Sequence, residues 1–176
     1  MDWLKPFGFA ITRGMTIIGF DPGTARCGWG VVEEIGSSIK TRAYGLIETP
    51  KTMAIEERLL TIHTALHSLL SKYKPDCASI EELYFQTNAK TAIAVGEARG
   101  VLLLSCAEQN LSVVSYSPLT VKRTVCGIGS ADKKQVQYMV KSILRLPEIP
   151  QPDDVADALA LALTHAFSRK MKGVGA

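Results

Sequence analysis

Residues 15–33 read MTIIGFDPGTARCGWGVVE, and this stretch determines the fold class expected for the chain. An apolar run ends in Asp21, which proline and glycine follow in an order typical of a tight turn. Runs with β-branched and aromatic residues come next, at 28–33 and at 41–49. Together the three runs predict an antiparallel meander whose first strand ends at Asp21.

The remainder of the chain alternates helical and strand patterns. Apolar residues spaced three and four apart predict an amphipathic helix at 55–73, and Pro75 ends it. Further elements are predicted as a buried strand at 77–80, a helix at 88–110, a strand at 111–116, and helices at 118–125, 131–145 and 153–170. This order of strands and helices, without an internal repeat, predicts one α/β unit.

Composition and length favour a single globular domain. The 176 residues are 47% hydrophobic and 21% charged, which excludes a disordered or fibrous chain. Residues 1–14 precede a second methionine and are interpreted as an N-terminal extension with no predicted role. We assign 15–170 to the domain and 171–176 to a C-terminal tail.

The chain has the features of a cytoplasmic protein. Its apolar stretches are far shorter than the roughly 20 residues that span a bilayer, and the N-terminus lacks the order of a signal peptide. The four cysteines contain no Cys-x-x-Cys pair, which favours reduced core residues over thiolate metal ligands. We therefore expect a reduced protein without a transmembrane helix.

Charge is distributed unevenly along the chain. Residues 1–82 carry a net charge of −1 and residues 83–176 carry +4, within a total of +3. The basic second half suggests a polyanionic partner, although a surplus of this size is common on soluble proteins.

Two carboxylates follow apolar strands. Asp21 ends the first strand, and Glu81, beside Glu82, ends the strand at 77–80. Considered singly, a turn explains the first and a solvated rim position explains the second. Their shared position at strand ends makes both candidates for a site.

The last predicted helix begins with a cluster of acids. Asp157 is the one polar residue between 155 and 163, and isolated burial of its charge would be costly. Asp154 lies three residues earlier, on the same helical face. Helix capping or the macrodipole explains Asp153 and Asp154 equally well, but Asp157 lies beyond the first turn.

Four such carboxylates suit hard divalent cations. Oxygen ligands favour Mg²⁺ or Mn²⁺, and two ions held about 3.5 to 4 Å apart can activate water and stabilise the leaving oxygen of a phosphodiester. Two divalent ions would also raise the net charge from +3 to about +7, which suits a nucleic-acid binder. His63 and His67 are interpreted as helix-surface residues. His165 is interpreted as an ordinary residue of the last helix, and a position facing the acidic site is the alternative.

Several motifs, taken in order, resemble those of one known family. They are residues 18–23 (IGFDPG) with 28–30 (GWG), residues 80–82 (IEE), residues 96–100 (GEARG), residues 121–133, and residues 154–160 (DVADALA). This ordered set resembles the RuvC Holliday-junction resolvases and covers about residues 15–168. The resemblance implies an RNase H-like fold with a mixed five-stranded sheet flanked by helices.

The resemblance also implies roles for individual residues. It identifies Asp21, Glu81, Asp154 and Asp157 as catalytic, metal-binding acids, and so favours Glu81 over Glu82 and Asp154 over Asp153. It implies that Lys122 and Lys133 contact DNA phosphates near the cut. Tyr84 stands where relatives often carry phenylalanine, and either ring can stack on an unpaired base.

The activity implied is resolution of four-way DNA junctions by paired, symmetric, Mg²⁺-dependent hydrolysis in recombination and DNA repair. Two Mg²⁺ ions per subunit are expected, with Mn²⁺ as a substitute. A pseudo-symmetric junction cut on two strands calls for a homodimer, and the helix at 88–110 is the expected interface. Its Gly96 and Gly100 permit a close helix approach, although core packing explains them equally well. Partners of the RuvA and RuvB branch-migration type are also implied.

Three other function classes share part of this pattern. An RNase H-like nuclease for RNA–DNA hybrids, or a YqgF-type relative, would keep the acids but lack the lysine segment around Lys122 and Lys133. An ATPase of the actin and sugar-kinase fold shares the turn after Asp21, but such proteins close two domains around a nucleotide. A catalytically inactive binding module does not need four intact acids.

Overall fold

The computed structural model describes residues 14–82 and 89–173. The strands in this part of the chain are β1 (Met15–Asp21), β2 (Arg26–Ile35), β3 (Ser38–Glu48), β4 (Cys77–Glu81) and β5 (Val113–Tyr116). The helices are α1 (Ile55–Tyr73), α2 (Ala89–Glu108), α3 (Pro118–Cys126), α4 (Lys133–Leu144) and α5 (Asp153–Gly173). The strands form one sheet in the order β3-β2-β1-β4-β5.

The sheet is mixed, as expected. β1, β2 and β3 pair antiparallel, which confirms the predicted meander, and β4 pairs parallel with both β1 and β5. The described helices contain no segment long and apolar enough to cross a membrane.

Alternating side chains of the sheet supply two separate cores. Ile18 and Phe20 of β1 pack on the face covered by α1 and α2, with residues such as Leu66 and Leu102. Ile17 packs on the opposite face, with residues of α3, α4 and α5 such as Leu163. The central strands β1 and β4 are therefore buried between two helical layers, in agreement with the predicted burial of β4.

Two glycines allow α5 to lie close to the sheet. A Cβ at Gly19 in β1 would collide with the carbonyl oxygen of Ala158, and one at Gly28 in β2 would collide with that of Asp154. A side chain at either position would push the helix away from the strands. The close approach brings the first turns of α5 beside the end of β1.

The ends of the last two helices differ from expectation. α4 begins at Lys133 rather than 131, because Asp132 and Gln135 form a capping box in which each side chain bonds the other residue's backbone N–H. α5 continues to Gly173, three residues beyond its predicted end. The capping box fixes Lys133 as the first residue of α4.

Candidate active site

Sheet topology and the packing of α5 bring the four predicted acids to one end of the molecule. β1 and β4 are parallel neighbours, and the last pair in their register is Phe20 opposite Ile80. Asp21 and Glu81 follow that pair, so they emerge at the same edge of the sheet. Asp154 and Asp157 reach this edge from the first turns of α5, whose approach depends on Gly28.

A pocket of about 270 Å³ lies at this edge. Its charged lining residues are Asp21, Glu81, Asp157, Lys122 and Lys133, and its apolar wall is formed by Pro118, Val121, Val136 and Leu161. The structure thus brings together three of the predicted acids and both predicted lysines. Asp154 lies beside the pocket, and Tyr84 lies outside the described residues.

The carboxylates interact strongly with one another. Burial, followed by the charges of Asp157, Glu81 and Asp154, raises the pKa of Asp21 to about 8, although Lys133 opposes the shift. Burial and the charge of Asp157 also raise the pKa of Glu81. Burial raises the pKa of Asp157 in the same way, against the attraction of Lys133. The site therefore concentrates negative charge that a cation would stabilise.

Two basic side chains already neutralise part of this charge. Lys133 Nζ lies 2.6 Å from Asp153 Oδ2 and 3.1 Å from Asp157 Oδ2. Burial alone would lower the pKa of Lys133, but its hydrogen bonds to these carboxylates raise it. Arg26 Nε lies 3.2 Å from Asp154 Oδ2, an ion pair without hydrogen-bond geometry, since that oxygen is buried and has no hydrogen-bond partner.

The chemistry of the site fits divalent cations. Within residues 14–82 and 89–173, no three His, Cys, Asp or Glu side chains converge closely enough to enclose an ion in this conformation. Asp157 is paired with Lys133, and Asp154 with Arg26, so cations of the chain itself engage two of the four acids. All four acids nevertheless offer oxygen, and the unsatisfied Asp154 Oδ2 is a donor of the type that Mg²⁺ prefers.

Sequence reasoning missed Arg26 and the role of Asp153. Arg26 opens β2, five residues after Asp21, and its Nη2 also lies 3.9 Å from Asp153 Oδ1. Helix capping or the macrodipole explains Asp153 from the sequence, and the structure adds an ion pair with Lys133 that lowers the pKa of the Asp153 carboxyl. The one signal for Arg26 available in the sequence was its position, five residues after Asp21.

The predicted histidines lie away from the pocket lining. His165 is buried on α5, and its Nδ1 lies 2.8 Å from the Tyr116 hydroxyl. His63 on α1 forms a 2.8 Å ion pair with Glu108 of α2. The helix-surface role predicted for His63 agrees with this exposed pair.

Comparison with known proteins identifies the family. Residues 17–165 match the family model described as crossover junction endodeoxyribonuclease RuvC. The chain belongs to the RuvC family. A RuvC from Caldicellulosiruptor saccharolyticus is 52% identical over 155 residues, covering 88% of this chain and 93% of the relative. A RuvC from Alkaliphilus oremlandii is 52% identical over 154 residues, covering 88% and 94%.

A solved RuvC structure confirms the fold. Thermus thermophilus RuvC in complex with Holliday junction substrate superposes with a TM-score of 0.86 at 36% identity, covering 90% of this chain and 96% of that one. The predicted RNase H-like architecture with a mixed five-stranded sheet is thereby confirmed.

The carboxylates of the site repel one another, so removing one of them should stabilise the folded protein. We expect Asp21→Asn to raise the Tm of the chelator-treated protein at pH 8 by at least about 2 to 4 °C, equivalent to at least about 1 kcal/mol. The folded pKa of Asp21 is about 8 and its ordinary value is 3.8, so unfolding releases a proton between these pH values. The free energy of unfolding of the unmodified protein should therefore fall as pH rises through this window.

Thermal unfolding from pH 4 to pH 8 checks this expectation, with Glu33→Gln as the control. Glu33 lies opposite Thr16, at the other end of β1, and its carboxylate is 3.9 Å from Arg42. The advantage of Asp21→Asn should shrink towards pH 4, and Glu33→Gln should show no comparable gain. A Tm that Asp21→Asn lowers at every pH would contradict the charge analysis.

Proposed function

We propose that the chain is an endonuclease that resolves four-way DNA junctions by paired, symmetric, metal-dependent hydrolysis of phosphodiester bonds, in recombination and DNA repair. The observation that carries the proposal is the pocket at the carboxyl ends of β1 and β4, where three acids face two lysines. The chain's membership of the RuvC family supports the substrate class, as does the solved junction complex of the Thermus thermophilus relative.

In this proposal Asp21, Glu81, Asp154 and Asp157 are the catalytic acids and hold Mg²⁺, two ions per subunit, with Mn²⁺ as a substitute. When bound, the ions supply activation of water and stabilisation of charge at the reacting phosphate. The carboxylates orient the ions and balance their charge. Apolar residues such as Val121 and Leu161 form part of the pocket wall, and an apolar wall strengthens electrostatic interactions beside it.

Lys122 and Lys133 are assigned to the DNA backbone. Both line the acidic pocket from separate helices, α3 and α4, so a phosphate entering it meets positive charge on one wall. The predicted stacking of Tyr84 on an unpaired base stays part of the proposal. Together these residues would hold the strand while the acids act on it.

A cleavage assay on three substrates tests the proposal. We expect cutting of a mobile four-way junction in Mg²⁺, with two symmetrically placed nicks, and at most slow cutting of linear duplex or an RNA–DNA hybrid. No product should form with EDTA. Preferred cutting of the hybrid would instead support an RNase H-like nuclease of the alternative class.

We also propose a homodimer formed through α2. An added Cβ at Gly96 or Gly100 would meet nothing within 4 Å, so packing within the described part of the chain does not account for these glycines. Leu104 on the same helix is 55% exposed and Ile93 is 63% exposed. A helix whose glycines have no neighbouring atoms and whose apolar side chains are exposed can pack closely against the same helix of a second subunit.

A single substitution on α2 should break this dimer. We expect Leu104→Glu to shift the protein from dimer to monomer in sedimentation at micromolar concentration, because it places a charge in an apolar interface. Ile35→Glu, at a 46% exposed position on the β2–β3 hairpin, should stay dimeric. A monomeric wild-type protein that resolves junctions symmetrically would refute the proposal.

The proposed partners and location follow from the family alone. We infer cooperation with a branch-migration motor of the RuvA and RuvB type, and a cytoplasmic location. A motor of this type would act on the same junction substrate that the chain is proposed to cut.

A further inference from the structure

One arginine joins α2 to the strand ends that carry the site. Arg99 lies near the middle of α2, and its Nη1 donates to the Glu81 carbonyl oxygen at 2.5 Å. Its Nη2 donates to Ser115 Oγ at 2.9 Å. Ser115 is on β5, opposite Ile80 of β4. A single guanidinium therefore fixes the ends of two neighbouring parallel strands.

Glu81 lies where its strand loses one of its neighbours. The register between β4 and β1 ends at Ile80, one residue before Glu81. On the β5 side, the Glu82 N–H donates to the Tyr116 carbonyl oxygen. Arg99 gives the Glu81 carbonyl a donor just past the last β1 pair, where β5 is the one neighbouring strand that still pairs with β4.

The position of this backbone decides where the Glu81 carboxylate points. Glu81 lines the acidic pocket with Asp21 and Asp157, so a small rotation at the end of β4 would move one acid relative to the other two. Residues that orient metal ligands in this indirect way affect metal affinity by about 10- to 100-fold when they are removed.

We propose that Arg99 is a positioning residue that holds the end of β4 so that Glu81 faces the metal site. The inference rests on the proposed metal-binding role of Glu81. Arg99 acts through the Glu81 backbone, and it is not among the residues that line the acidic pocket. Its planar fork reaches two acceptors at once, and the single ammonium of a lysine cannot reproduce this geometry.

Mn²⁺ binding to the DNA-free protein, measured by electron paramagnetic resonance, tests the inference without relying on cleavage. We expect Arg99→Lys to raise the Mn²⁺ dissociation constant about tenfold. Ser115→Ala removes one of the two acceptors and should raise it by a smaller factor. Arg42→Lys, an arginine substitution on the exposed side of β3, is the matched control and should bind as wild type.

A double variant separates a positioning role from an independent one. Glu81→Gln should weaken Mn²⁺ binding more than Arg99→Lys does, and the double variant should be no weaker than Glu81→Gln alone, because Arg99 then has no ligand to position. The inference would be overturned if the losses of Mn²⁺ affinity multiplied in the double variant, or if both Arg99→Lys and Ser115→Ala bound Mn²⁺ normally. Wild-type binding by Glu81→Gln would instead overturn the proposed metal site itself.

Discussion

Asp21→Asn is expected to lower the single-turnover rate of junction cleavage by about a thousandfold or more, while the protein still binds the junction. The substitution removes a proposed metal ligand from the acidic cluster, where Asp21 interacts with Asp157, Glu81 and Asp154. Metal ions contribute several kcal/mol to such reactions, and each 1.4 kcal/mol is about tenfold in rate, so losing about 4 kcal/mol gives a factor of about a thousand.

Junction binding should survive because the basic surface is untouched. Asparagine leaves the lysines in place and adds no charge near the DNA, so affinity should stay within about threefold of wild type. Gel shifts in EDTA beside single-turnover cleavage in Mg²⁺ measure the two effects separately. Glu33→Gln, at the opposite end of β1, should retain both, and full cleavage by Asp21→Asn would contradict the site assignment.

Much of the fold follows from sequence periodicity. Alternating burial in β1 and the three-and-four spacing in α1 are local patterns, and both elements have their predicted bounds. The convergence of Asp21 and Glu81 was also accessible, since each ends an apolar strand. What makes them neighbours is the parallel pairing of β1 with β4.

The approach of α5 could not be derived from the sequence pattern. It depends on contacts of Gly19 with Ala158 and of Gly28 with Asp154, which join positions more than 100 residues apart. Glycine in a strand usually signals a turn or a bulge, so these glycines gave no direct indication of a helix above them. Their contact with α5 is what delivers Asp157 to the pocket.

The charge pairs were inaccessible for the same reason. Arg26 with Asp154, and Lys133 with Asp153, combine residues from different elements. Sequence spacing shows which acids share a helical face, but not which cation from another element meets them. Lys133 was predicted to contact phosphate, and the structure adds that it neutralises two carboxylates of α5.

Lys133→Ala is expected to lower turnover by about 100-fold at saturating Mg²⁺, with junction affinity within about threefold of wild type. Lys133 Nζ lies 3.1 Å from Asp157 Oδ2 inside the pocket, where a fixed ammonium can stabilise charge that develops on the reacting phosphate. Such a contact is made chiefly in the transition state. The substitution also frees Asp157, so weaker metal binding would not explain the loss.

Lys122→Ala should behave differently because Lys122 lines the pocket from α3. We expect a reduced rate together with weaker junction binding, and a salt dependence of affinity that flattens by about one unit of slope. Lys134→Ala is the matched control: Lys134 follows Lys133 directly but lines a separate surface depression with Cys126 and Tyr138. Single-turnover cleavage and gel shifts across salt distinguish the three variants, and normal turnover of Lys133→Ala would reduce that residue to a structural partner of Asp153.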